Sequence, residues 1–108
     1  MLLSATKHYS FPKSLSILGF GEGGVQKVEV DLNSRISIEK LRCRLEECLT
    51  SHTPVLSVVA IVGSTEESVV DNLEEILKLK EEFAKKNLYF HLHIDGAYGG
   101  YFISMIRE

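Results

Sequence analysis

The sequence predicts an α/β domain built on a mainly parallel sheet with helices on its faces. Three observations predict it: the apolar run at residues 55–62 (VLSVVAIV), bounded by Pro54 and Gly63; a second strand-like run at residues 88–94 (LYFHLHI); and one amphipathic helix between them, near residues 71–86. Two strands joined through a single helix of that length require a crossover, and crossovers join parallel neighbours. The near-continuous apolar character of residues 55–62 is that of a strand covered on both faces.

The remaining elements follow in order. Residues 2–5 form a short apolar strand entered at once, and residues 9–18 a helix with Leu15 and Leu18 at helical spacing and Pro12 in its first turn. Gly19-Phe20-Gly21-Glu22-Gly23-Gly24 then breaks the chain. It follows a helix rather than a strand, so it is a loop and not a dinucleotide fingerprint. Residues 25–30 (VQKVEV) are rich in β-branched side chains and predict a strand, and residues 31–35 have turn composition. Ser37 is placed to cap a helix near residues 38–49, whose Ile38, Leu41, Leu45, Cys48 and Leu49 recur at steps of three and four. In the helix near 71–86, Asp71 and Glu74 resemble a capping box, and Leu73, Ile76, Leu77 and Phe83 make an apolar stripe. Lys85 and Lys86 sit at its negative end, and Glu74/Lys78, Glu81/Lys85 and Glu82/Lys86 are i,i+4 pairs on its wet side.

Composition narrows the function. At 108 residues the chain is one domain or a piece of a larger one, and 44% hydrophobic with 25% charged residues is enough to pack a core. Twelve Lys+Arg against 15 Asp+Glu give a net charge of -3 with both signs interspersed, so no basic field exists to hold a phosphate backbone and no nucleic-acid partner is expected. No apolar run is long enough to cross a bilayer, and the first residues lack the basic and hydrophobic regions of a secretory signal. No membrane partner is expected. Cys43 and Cys48 lie in one helix outside any ligand-spaced pattern, which predicts free thiols and a cytoplasmic, soluble protein.

In parallel sheets ligands bind beyond the carboxyl ends of the strands. Three polar clusters fall there: Thr6-Lys7-His8, Gly63-Ser64-Thr65-Glu66-Glu67 and Asp95-Gly96-Ala97. Asp95 stands where it can meet a cofactor or simply cap the next turn. Gly96, Gly99 and Gly100 fit either a close backbone approach or a tight turn. The Gly63-Ser64-Thr65 stretch lacks P-loop spacing and reads as a helix entry, with Glu66 and Glu67 as a solvated approach to it. His8 lies at a strand end beside other polar groups, a position that admits a functional role without requiring one. His91 and His93 share one strand face and predict burial or packing, His52 reads as a solvated loop residue, and the four histidines make no metal pattern.

Together the clusters resemble a known family. His8-Tyr9-Ser10, then residues 58–67 (VVAIVGSTEE) with Val70, Asp71 and Leu73, then residues 92–100 (LHIDGAYGG) are similar in order and spacing to the group II pyridoxal-phosphate-dependent amino-acid decarboxylases. These belong to the fold type I, aspartate-aminotransferase-like superfamily, and the resemblance covers nearly the whole chain. It implies pyridoxal 5'-phosphate as cofactor, an amino-acid substrate and a homodimeric parent enzyme. Residue by residue it implies that Asp95 partners the pyridine nitrogen and Ala97 lies against one ring face. It implies that His8 stacks on the other face and that Thr65 contacts the cofactor through its hydroxyl. Asp71 matches a family acid, read here as a helix cap, and Ser68 stands where many members carry glycine.

None of Lys7, Lys13, Lys27, Lys40, Lys78, Lys80, Lys85 or Lys86 has the context of the family's Schiff-base lysine. Residues 1–108 are therefore expected to be a partial cofactor-binding large domain, truncated at both ends, and inactive in isolation. The competing readings are another fold type I lyase resembling sphingosine-phosphate lyase, and a non-catalytic α/β fragment.

Overall fold

The computed structural model describes residues 1–5 and 7–106, so Thr6 of the first polar cluster lies outside the described residues. Four strands, β1 (Leu2–Ser4), β2 (Gln26–Val28), β3 (Ser57–Ile61) and β4 (His91–Asp95), form one sheet in the order β2-β1-β3-β4. Every pairing is parallel, including β3 with β4 over the full length of both. The crossover between the two longer strands is the one the sequence predicts.

Helix α1 (Ser10–Ile17) joins β1 to β2, α2 (Ile38–Thr50) joins β2 to β3, and α3 (Leu73–Ala84) joins β3 to β4. The chain moves one way across the sheet from β1 to β2 and the other way thereafter. Right-handed crossovers then put α1 on one face and α2 with α3 on the opposite face. The packing agrees. Leu41 and Leu45 of α2, with Ile76, Leu79 and Phe83 of α3, share one core with Leu2, Val28, Val58 and Ala60 of the strands. On the other face the Phe11 ring of α1 meets the edge of His93, with centroids 6.2 Å apart. A short helix, α4 (Gly100–Ile106), follows β4. No helix among the described residues is long and apolar enough to cross a membrane.

The Ser37 hydroxyl caps α2 by accepting from the Lys40 amide at 3.3 Å, as expected. Three expectations are corrected. The cap of α3 is Asn72, whose side chain accepts from the Glu75 amide at 3.2 Å; Asp71 is one residue too early and is buried elsewhere. Leu77 is exposed, and Leu79 takes its place in the core, because with Ile76 and Phe83 it keeps the steps of three and four that face the sheet. Finally, the face shared by His91 and His93 is not buried: both are exposed, as is Ile94. Strand β4 is the last of this sheet, and the Phe11 ring of α1 meets it at His93.

Candidate functional site

The connections leaving β1 and β3 diverge, which makes the gap between these neighbouring strands a topological switch point. Crevices open at the carboxyl ends of the strands at such points. Here the crevice is a cleft of about 870 Å³, walled by residues 7–11 after β1, the loop at 63–67 after β3, and His93, Asp95, Ala97 and Tyr98 at the end of β4. It brings together His8, Thr65, Asp95 and Ala97.

Asp95 is the last residue of β4 and half-buried. Its Oδ1 accepts a hydrogen bond from the Ala97 amide at 3.2 Å, so it caps the turn. The capping role uses one oxygen, and Oδ2 has no hydrogen-bond partner among the described residues. Ala97 carries nothing beyond Cβ, so that wall of the cleft has room for a flat ring. The imidazole of His8 is oriented by Ser10, whose backbone N–H donates to Nδ1 at 3.2 Å and whose Oγ lies 2.9 Å from the same atom. A ring nitrogen accepting from an amide carries no proton, so the neutral ring of His8 is protonated on Nε2. The ring leans on Tyr9, with centroids 4.2 Å apart.

Thr65 is exposed on the β3 loop. Its neighbour Ser64 is occupied within the loop: the hydroxyl donates to Glu67 Oε2 at 3.1 Å and accepts from the Val69 amide at 3.2 Å. The loop is a closed turn rather than a direct helix entry, since Gly63 and Ser64 both donate backbone hydrogen bonds to the Val69 carbonyl and Val62 bridges Val70. Ser68 has φ 53°, the left-handed region that glycine enters freely. Among the described residues Lys7 is the lysine that lines the cleft; burial first, and the charge of Lys27 second, lower its pKa.

The β3 and β4 loops are fitted to each other through glycine. A Cβ on Gly63, itself at φ 82°, would lie 2.6 Å from the Gly99 Cα, and one on Gly99 would run into the Val62 carbonyl oxygen. Gly99 is thus a close backbone approach, which decides between the two roles open to it in the sequence. Sequence reasoning missed His93 as a cleft residue, although it sits two residues before Asp95 and so on the same strand face.

The sequence profile of the pyridoxal-dependent decarboxylase conserved domain matches residues 1–107. The chain belongs to this family. It is 42% identical over 100 residues to L-tyrosine decarboxylase of Levilactobacillus brevis and 43% identical over 100 residues to that of Enterococcus faecalis, in each case over 93% of this chain and 16% of the relative. Among solved structures, mouse CSAD in apo form superposes with a TM-score of 0.80 at 28% identity, covering 92% of this chain and 20% of that one. The glutamate decarboxylase domain of a Vibrio parahaemolyticus enzyme gives 0.76 at 26% identity, again over 92% and 20%. The chain therefore spans about a sixth of the length of the curated relatives it matches.

Proposed function

We propose that this chain supplies one wall of a pyridoxal 5'-phosphate site in an enzyme that decarboxylates an amino acid. The observation that carries the reading is the meeting of His8, Thr65, Asp95 and Ala97 in the cleft at the switch point. Their chemistry suits the cofactor: a carboxylate with a free oxygen for a protonated ring nitrogen, a small side chain and an oriented imidazole for the two ring faces, and a hydroxyl. When bound, pyridoxal phosphate supplies an electron sink for the pair released as the α-carboxylate leaves as carbon dioxide. The part of this chain is to hold the proton on the pyridine nitrogen through Asp95, to fix the ring through His8 and Ala97, and to bind through Thr65.

The relatives at 42% and 43% identity are named for tyrosine, which makes tyrosine the first substrate to test. We read residues 1–108 as a partial cofactor domain, which their share of the relatives' length supports. Exposed Tyr101, Phe102, Ile103, Met105 and Ile106 on α4 form an apolar surface suited to further protein, a homodimer partner included. Cytoplasmic residence belongs to the same reading.

The test is Asp95→Asn in the decarboxylase containing this chain. It keeps size and loses the anion, so tyrosine decarboxylation should fall on the order of 100-fold or more while cofactor content changes much less. An Asn variant that works at the parent's rate would reduce Asp95 to its turn-capping oxygen and remove the main support for the reading.

A further inference from the structure

The most deeply buried titratable side chain among the described residues is not in the cleft. Asp71 is 3% exposed, and both of its oxygens are engaged by main chain: Oδ1 accepts from Ile36 N and Oδ2 from Ile61 N, each at 2.7 Å. Its own amide returns a bond to the Ile61 carbonyl at 2.8 Å, so Asp71 and Ile61 are doubly tied. No cation pairs with its carboxylate among the described residues. A buried acid kept without a counter-ion, with its acceptors filled by N–H groups from two distant segments, is a costly way to close a loop unless the position of that loop matters.

The segments it ties lead to the cleft. Ile61 is the last residue of β3, and the next residue, Val62, donates its amide to the Asp95 carbonyl at 2.9 Å. Gly63 then packs against Gly99, and the loop it opens, which carries Thr65, closes at Val69 and Val70 directly before Asp71. Ile36, in the connection just before α2, is a fully buried core residue, so the anchor is itself held by the core of the domain. From this geometry we infer that Asp71 is a positioning residue for the cofactor wall: its carboxylate locks the carboxyl end of β3 to the core and thereby sets where Thr65 and, through Val62, Asp95 stand. The inference rests on the proposed function for its purpose and on the hydrogen bonds alone for its mechanism.

Asp71→Asn is near-isosteric but replaces one acceptor with an N–H₂ group that cannot receive an amide. Amide hydrogen exchange read by NMR should show Val62, Gly63 and Ser64 exchanging about tenfold faster or more, with the Val58–Ala60 segment at the centre of β3 unchanged. Binding of pyridoxal phosphate by the decarboxylase containing this chain, followed by absorbance well below the melting temperature, should weaken on the order of tenfold when it carries the same substitution. The control is Leu45→Ala, which destabilises the core from α2 and should leave that affinity as it was. Uniform acceleration across the sheet, unchanged exchange in the loop, or unchanged affinity alongside faster loop exchange would each overturn the inference. Should Asp71→Asn not fold, Asp71→Ser takes its place, and failure of both assigns Asp71 to the fold alone and also overturns it. If the decarboxylase containing this chain binds no pyridoxal phosphate, the proposed function fails while the exchange pattern still decides the role of Asp71.

Discussion

The sequence alone left the role of Asp95 open, because a strand-terminal aspartate that caps a turn and one that meets a cofactor look identical in sequence; the structure shows the cap, made through Oδ1 to the Ala97 amide, and the proposed cofactor contact falls to Oδ2. Ser68 is a residue of the opposite kind, legible once its backbone is known. The resemblance sets glycine at this position in many members, and φ 53° is a conformation that glycine enters freely. A side chain in that region costs about 1–2 kcal/mol of steric strain, partly offset by the greater freedom glycine has in the unfolded chain. Ser68→Gly should therefore stabilise the chain, on the order of 0.5–1 kcal/mol in urea titration. A loss of stability would mean that the Ser68 side chain contributes an interaction outweighing the strain.

The elements were legible where periodicity is strong and ambiguous where neighbours compete. The α2 stripe of Leu41 and Leu45 and the α3 positions Ile76 and Phe83 are all buried as their spacing implies. The start of α3 misled because Asp71 and Asn72 are adjacent and both are good caps; only the tertiary demand of Ile36 and Ile61 for an acceptor separates them. Asn72→Ala should then behave as an ordinary lost cap, costing about 1 kcal/mol in thermal or urea unfolding and leaving Gly63 and Ser64 exchange untouched. The exposure of His91 and His93 was invisible for a different reason, since alternation says which residues share a face and not whether anything covers it. Gly99→Ala tests the contact between the β3 and β4 loops. Its Cβ meets backbone rather than a flexible side chain, so relief requires moving a loop, with a cost of about 1–3 kcal/mol measurable by urea unfolding. An unchanged midpoint would mean that the loops separate freely.

At the scale of the whole molecule, parallel pairing was legible from the crossovers, whereas the strand order β2-β1-β3-β4, and with it the switch point, depends on contacts between segments far apart in the chain. The pH response is likewise a property of the whole, because two carboxylates pull it in opposite directions. Burial pushes the Asp71 carboxyl above its ordinary value, outweighing the two amide bonds that lower it, while Asp31 adds to the rise and Arg35 opposes it. A raised folded value means that its contribution to stability is complete below the unfolded value, about 4, and is lost as pH rises through the folded one. Glu82 is the reverse. Its hydrogen bond to Arg42, which links α3 to α2, holds its carboxyl below the ordinary range, so its contribution is present at neutral pH and is lost as pH falls through the folded value. The two can be separated by salt, since the Arg42–Glu82 pair is partly exposed and screened while Asp71 is enclosed. Urea midpoints of the parent and of Asp71→Asn, taken from pH 4 to 7, should show the advantage of the parent shrinking as pH rises, and adding salt should leave that trend in place. Salt should instead flatten the opposite trend, the one that disappears in Glu82→Gln. If the parent's advantage over Asp71→Asn grew with pH, the amide bonds from Ile36 and Ile61 would outweigh burial, and the Asp71 carboxyl would titrate below its ordinary value.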